Sequence, residues 1–220
     1  MCIFCEQDLL MRAKAIYRYT IKEIFIALDM TVSKNLVYNK GFIGKLLEYI
    51  LGVSSKVRNK KCIDFPNLEI ELKSIPVSKF NIPLESTFIC NAPLMDNGIE
   101  YTWKNSYIYN KVKKILWIPI YGSLKTSFFN KVIGKAFIWT MKKSQLSVLE
   151  EDWNFFMDLI SVGKINKISS RDGQFLQVKK KCKNNFYVSK YIDHRGQLKK
   201  INPRAFYLKK TFTQKILKNF

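Results

Sequence analysis

Leu9, Leu10, Ala13 and Ile16 recur at the three- and four-residue steps that put side chains on one face of a helix. A second apolar helix is announced by Thr20-Ile21-Lys22-Glu23, whose Thr and Glu stand at capping-box spacing. The polar connection Ser33–Lys40 leads to a third helix over about Gly41–Leu51. Leu46, Leu47, Ile50 and Leu51 form its core face, Glu48 projects to another side, and Gly52 is a plausible stop. The basic run Lys56–Lys61 reads as an exposed loop. From Leu68 to Val77 the period shortens to two: Leu68, Ile70 and Leu72 alternate with Glu69, Glu71 and Lys73, which predicts a strand with one charged face.

The rest of the chain continues the alternation of helix and strand. A strand is expected over Ser86–Pro93, a helix over Lys104–Lys114 and an unbroken apolar strand over Ile115–Ile120. Ala136–Thr140 reads as a further strand, and Ser144–Val162 as a long amphipathic helix rich in aromatics. Short strands over Ile165–Ser169 and Gln174–Val178 are followed by basic loops and a C-terminal helix from about Thr213. Trp103, Trp117, Trp139 and Trp153 are expected in the core. His194 belongs to the turn-like Asp193-His194-Arg195-Gly196. No repeat or low-complexity linker interrupts the order, so residues 1–220 read as a single domain, mixed α/β with a central sheet flanked by helices.

Charge narrows the partners. There are 38 Lys and Arg against 17 Asp and Glu, a net charge of +21, which calls for a polyanion or an anionic surface. No apolar run reaches the length of a bilayer span, no strongly basic amphipathic helix stands out, and the N-terminus lacks the form of a secretory signal. Nucleic acid is therefore favoured over a membrane. The five cysteines, 2, 5, 62, 90 and 182, form no disulfide framework and suit a reducing cytoplasm. Cys2 and Cys5 lack a second Cys or His pair that would complete a zinc site, and the single His194 excludes sites built on several histidines.

Candidate chemistry lies in Asp64-Phe65-Pro66-Asn67-Leu68-Glu69-Ile70-Glu71-Leu72-Lys73. An acid, a six-residue gap and then Glu-x-Lys is what a Mg²⁺-dependent DNA nuclease needs. Two carboxylates can hold a hard cation through oxygen, and a lysine two residues along the strand shares the face of Glu71. There it can orient or deprotonate water beside the metal. Taken alone, such alternation is also what a solvated strand face looks like, salt-bridged to a neighbour.

Resemblance extends the reading beyond this segment. Asp64-Phe65, Glu71-Leu72-Lys73-Ser74-Ile75-Pro76-Val77 and Pro83-Leu84-Glu85-Ser86-Thr87-Phe88 resemble the MutH/Sau3AI family of DNA endonucleases. So do Lys40-Gly41-Phe42-Ile43-Gly44-Lys45-Leu46-Leu47-Glu48, Lys111–Pro119, Glu151-Asp152-Trp153 and Pro203–Thr213, in one order along nearly the whole chain. The resemblance implies a type II restriction-endonuclease-like fold, with two lobes forming a DNA cleft. The N-terminal lobe would carry the metal site and the C-terminal lobe the DNA-recognition loop. It implies Mg²⁺ ligation by Asp64, Glu71 and the Leu72 carbonyl, with Lys73 acting on the attacking water. Glu48 would complete the acidic cluster, and Lys111 would stabilise charge on the scissile phosphate.

The same resemblance implies strand-specific nicking of hemimethylated GATC in methyl-directed mismatch repair, by a monomer activated by MutL with MutS upstream. The implied DNA contacts are Lys40, Phe88, the loop residues Lys179, Lys180 and Lys181, and Tyr207, the last placed to sense the adenine methyl group. Lys179-Lys180-Lys181 departs from the family's Arg-Pro-Lys. Lysine lacks the bidentate fork with which arginine reads guanine, so a looser specificity is expected. A restriction enzyme cutting both strands and a catalytically silent DNA-binding module are the competing readings. One copy of the domain disfavours the first, and the intact acid and lysine set disfavours the second.

Overall fold

In the computed structural model, which describes residues 5–30, 41–54, 62–95, 102–123, 125–181 and 188–220, the Thr20 capping box forms as its spacing predicts. The Glu23 N–H donates to Thr20 Oγ1 at 3.2 Å, while the Thr20 N–H donates back to Glu23 Oε2 at 2.6 Å. In chain order the elements are α1 (Glu6–Ala15), α2 (Ile21–Ala27), α3 (Phe42–Leu51), β1 (Glu71–Val77), β2 (Thr87–Asn91), α4 (Tyr107–Val112), β3 (Lys114–Tyr121) and β4 (Val132–Ile133). β5 (Phe137–Thr140), α5 (Lys143–Ser161), β6 (Leu176–Lys180), β7 (Ser189–Ile192), β8 (Leu198–Ile201), β9 (Arg204–Leu208) and α6 (Lys210–Leu217) follow. They group into two units that interleave along the sequence. Met1–Glu85, Lys113–Thr140 and Gln214–Phe220 make the first, and Ser86–Val112 with Met141–Thr213 the second.

The first unit holds a mixed four-stranded sheet. β1 and β3 run parallel, with Glu71 opposite Ile115 and Lys73 opposite Trp117; β4 and β5 pair antiparallel with β3. Every residue from Ile115 to Ile120 is buried, as expected of a strand covered on both faces. α1, α2 and α3 contribute Leu9, Ile21, Leu47 and Leu51, all fully buried, to one cluster with Ile70, Leu72, Leu116 and Ile118. Each such side chain contributes roughly 1.5–3 kcal/mol. α3 ends at Gly52, whose φ of 77° lets the Val53 N–H reach back to the Glu48 carbonyl at 2.8 Å.

In the second unit β2, β9 and β6 form an antiparallel sheet in that order, and β7 pairs with β8 as a hairpin. One face of the sheet carries Leu176, Val178, Phe206 and Leu208, all buried, with the Phe206 ring 6.2 Å from Phe156 of α5. Asp152 of α5, itself buried, accepts the backbone N–H groups of Gln174, Phe175 and Leu176 at 2.7, 2.7 and 2.8 Å, which ties the start of β6 to the helix.

Three expectations are corrected. The helix expected over Lys104–Lys114 is shorter: a 3₁₀ turn at Trp103–Asn105 precedes it, and Ser106 Oγ accepts the Tyr109 N–H at 3.1 Å to start α4 afresh. Ile165–Ser169 is no strand. Ile165–Lys167 forms a 3₁₀ turn, and Ile165 and Ile168 are buried at its three-residue period. The strand at Leu68 begins only at Glu71, because Pro66–Leu68 is a 3₁₀ turn and Glu69 adopts the left-handed conformation with φ 56°. The four tryptophans are buried as expected, and His194 lies in the exposed turn between β7 and β8. Among the described residues no helix is long and apolar enough to cross a membrane.

Candidate active site and nucleic-acid face

The six-residue gap between Asp64 and Glu71 has a structural origin. Phe65 and Ile70 pair backbone to backbone, N–H to carbonyl in both directions at 2.9 and 3.2 Å. This closes residues 66–69 into a tight loop, so the acids on either side of it become neighbours. Asp64 is held there by the Leu72 N–H, which donates to Asp64 Oδ2 at 2.8 Å. Glu71 opens β1 and is only 2% exposed. Lys73, two residues on and therefore on the same face, places Nζ 2.5 Å from Glu71 Oε1.

Glu69, expected on the same strand face, lies outside it. It is exposed in the loop and pairs with Lys113 Nζ at 2.6 Å. The hydrogen bond from Lys113 holds the Glu69 carboxyl below its ordinary range, with the lysine's charge adding to the effect. Glu69 thus has a lysine partner of its own, apart from Asp64 and Glu71.

Glu48 stands part-buried on α3, which packs on β1. Among the described residues no three His, Cys, Asp or Glu side chains gather into a group that could hold a metal ion. The structure seats Asp64 on the Leu72 N–H beside the Glu71–Lys73 pair and places Glu48 on α3, the helix packed on β1. Their donors, carboxylate oxygens with the neighbouring Leu72 carbonyl and no thiol or imidazole in the segment, suit a hard divalent cation rather than zinc. Lys111 belongs to the second unit, where it is buried in the last turn of α4.

The sheet of the second unit collects most of the expected DNA contacts on one face. Phe88 stands opposite Tyr207 in the register, their rings edge to face at 5.6 Å, and Phe88 is 38% exposed rather than a core residue. Lys179 shares this face through its pairing with Ala205, and its Nζ donates to Ser86 Oγ at 3.0 Å. Lys181, just past β6, donates to Asn91 Oδ1 at 2.9 Å and lies 5.3 Å over the Phe88 ring. Lys179 and Lys180, expected in a loop, are the last residues of β6, so alternation sends them to opposite faces. Lys180 stands opposite Arg204, on the other face from Phe88 and Tyr207. Lys40 lies outside the described residues.

Ser86 and Asn91, which anchor two of these lysines, escape a sequence reading. Nothing in their local pattern marks them, and only the pairing of β2 through β9 to β6 brings them near residues some ninety positions away.

Comparison with known proteins places this geometry in a family. Residues 53–152 match the model of the DNA mismatch repair enzyme MutH. The chain is 55% identical over 217 residues to the DNA mismatch repair protein MutH of Buchnera aphidicola subsp. Baizongia pistaciae, covering 99% of this chain and 98% of that protein. It is 37% identical over 212 residues to the proteins of the same description from Shigella boydii serotype 18 and Escherichia coli, covering 96% of this chain and 91% of each. The chain belongs to the MutH family.

It is therefore a DNA mismatch repair endonuclease, an enzyme that acts on DNA, and nucleases of the MutH family generally need a divalent metal. The mixed sheet flanked by helices is consistent with the restriction-endonuclease-like fold expected of a MutH protein.

Proposed function

We propose that this MutH-family enzyme uses Mg²⁺ to nick the unmethylated strand of hemimethylated GATC duplexes in methyl-directed repair. The observation that carries the reading is the closed loop that seats Asp64 on the Leu72 N–H, next to Glu71, with Lys73 Nζ set against the Glu71 carboxylate. Asp64, Glu71 and the Leu72 carbonyl would hold the ion, which when bound lowers the pKa of water and neutralises phosphoryl charge. Lys73, whose Nζ lies against the Glu71 carboxylate, would orient or deprotonate the attacking water. Glu48 supports the acidic set from α3, and Lys111 stabilises charge on the scissile phosphate.

In recognition, Lys40, Lys179, Lys180 and Lys181 engage the duplex, Phe88 lies against the bases, and Tyr207 senses the adenine methyl group; all but Lys40 belong to the second unit. The exposed Phe88 ring, with Tyr207 and Lys181 packed around it, supports this assignment. Lysines in place of the family's Arg-Pro raise phosphate affinity and its salt dependence while weakening guanine readout. All of residues 1–220 act as one endonuclease domain, as a monomer in the cytoplasm, activated by MutL downstream of MutS. The five cysteines, which form no disulfide framework in the sequence, suit such a reducing compartment.

Purified protein incubated with Mg²⁺ on hemimethylated duplexes tests the reading. Substrates carry GATC or a scrambled site, with and without the activator, and chelator controls run alongside. Site-specific nicking that is lost in Glu71→Ala, with DNA binding retained, supports it. Binding with no Mg²⁺-dependent nicking, even with the activator, would replace it by a catalytically silent DNA-binding module.

A further inference from the structure

Gln177 sits in the middle of the recognition face and has no role so far. The register places it opposite Tyr207, which stands opposite Phe88, so the three side chains form a row across β6, β9 and β2. Lys179, two residues along β6, lies on the same face. The opposite face, with Leu176, Val178 and Phe206, is the one packed in the core.

The environment of its amide is unusual. Gln177 is 5% exposed, yet among the described residues its side chain makes no hydrogen bond. An amide whose stem is packed and whose donor and acceptor are both uncommitted at a wet tip can bond a molecule that lands on this face. The sealed polar atoms lacking a partner among the described residues are Trp103 Nε1, Trp117 Nε1 and Arg204 Nε; the Gln177 amide is not one of them. Its stem is covered while its tip still meets solvent.

Chemistry then selects the partner. In the major groove adenine presents an acceptor at N7 beside a donor at N6, and a glutamine amide satisfies both at once. Lysines carry no acceptor, so Lys179 and Lys181 cannot read the N6 donor. The other amide on this face, Asn91, already has Oδ1 engaged by Lys181. We infer that Gln177 is a specificity-determining residue that reads one adenine of the recognised site, Oε1 accepting from N6–H and Nε2 donating to N7. This deepens the proposed function and rests on its assignment of the Phe88–Tyr207 face to DNA.

The test measures binding of the full chain to GATC and scrambled duplexes, with 7-deazaadenine replacing each adenine in turn. For the unaltered protein, 7-deazaadenine in one strand should weaken GATC binding by about tenfold, the scale of one lost base contact. Gln177→Ala should lose about tenfold or more on GATC and show no further penalty for the analogue. Its binding to the scrambled duplex, dominated by phosphates, should stay within about twofold. Gln177→Met, which keeps the volume of the side chain, should behave like Gln177→Ala and guards against loss through misfolding, checked by circular dichroism. The inference is overturned if the unaltered protein is indifferent to 7-deazaadenine in either strand, or if both variants keep its full preference and its penalty. If the unaltered protein shows no preference for GATC over the scrambled site, the recognition assignment fails first and takes this inference with it.

Discussion

Asp152→Ala should loosen the recognition face while leaving Asp64, Glu71 and Lys73 untouched, and three hydrogen bonds set the size of the loss. The Asp152 carboxylate accepts from Gln174, Phe175 and Leu176 at 2.7 to 2.8 Å, just where β6 begins. A hydrogen bond to a charged group contributes about 1.5–3 kcal/mol, so three give an upper limit of about 5–9 kcal/mol. Burying a carboxylate costs several kcal/mol, which its removal relieves. The net expectation is a destabilisation of about 3 kcal/mol. In a chain of this size that corresponds to roughly 6–12 °C in Tm. Asp152→Asn, which retains one acceptor oxygen, should fall about midway. Thermal and urea unfolding read the size, and amide hydrogen exchange at 174–176 reads the place. Because β6 carries Gln177 and Lys179, discrimination between GATC and scrambled DNA should fall more than binding to scrambled DNA. An Asp152→Ala protein within about 0.5 kcal/mol of the unaltered one, with exchange at 174–176 unchanged, would refute the argument.

Other consequences follow from single contacts. Gly163 has φ 66°, and a Cβ there would fall 2.4 Å from the Asp193 carbonyl carbon; Gly163→Ala should cost about 2 kcal/mol in unfolding experiments and speed exchange in the β7–β8 turn. Lys181→Ala should weaken binding to all sequences and reduce the slope of log K against log salt by about 1; an unchanged slope would remove Lys181 from the phosphate contacts. The Glu69 carboxyl is held below its ordinary 4.5 by Lys113, so the folded protein takes up that proton less readily than the unfolded chain. The pair's stabilisation is present above the unfolded value and disappears as pH falls through the lower folded value. A Tm difference between the unaltered protein and Glu69→Gln at neutral pH should therefore close in acid, and a difference that widens there would contradict the pairing.

Much of the hydrolytic segment could be read in one dimension because its contacts are local. Thr20 and Glu23 meet across one helical turn, and Glu71 and Lys73 across one strand repeat, so spacing alone specifies who touches whom. The same reasoning failed at Glu69, where alternation with Ile70 and Leu72 imitated a strand. A backbone closure between Phe65 and Ile70 instead turned the chain out of register. It failed again at Ile165, whose apolar spacing served a 3₁₀ turn. β7 and β8 left a weak signal, since β8 is Leu-Lys-Lys-Ile with three exposed positions and pairs with β7, in which Tyr191 alone is buried.

The sequence by itself determined the chemical inventory: hard oxygen donors at Asp64 and Glu71, a lysine beside them, and a charge of +21 suited to DNA. It also determined the family, through motifs in one order along nearly the whole chain. Tertiary structure decided which side chains share a face. Lys179 and Lys180 are adjacent in the chain yet stand on opposite sides of β6, while Phe88, Tyr207 and Gln177, far apart in sequence, form one row. The physical reason is that side-chain direction along a strand is local, but strand order and register are set by burial and backbone pairing between distant segments.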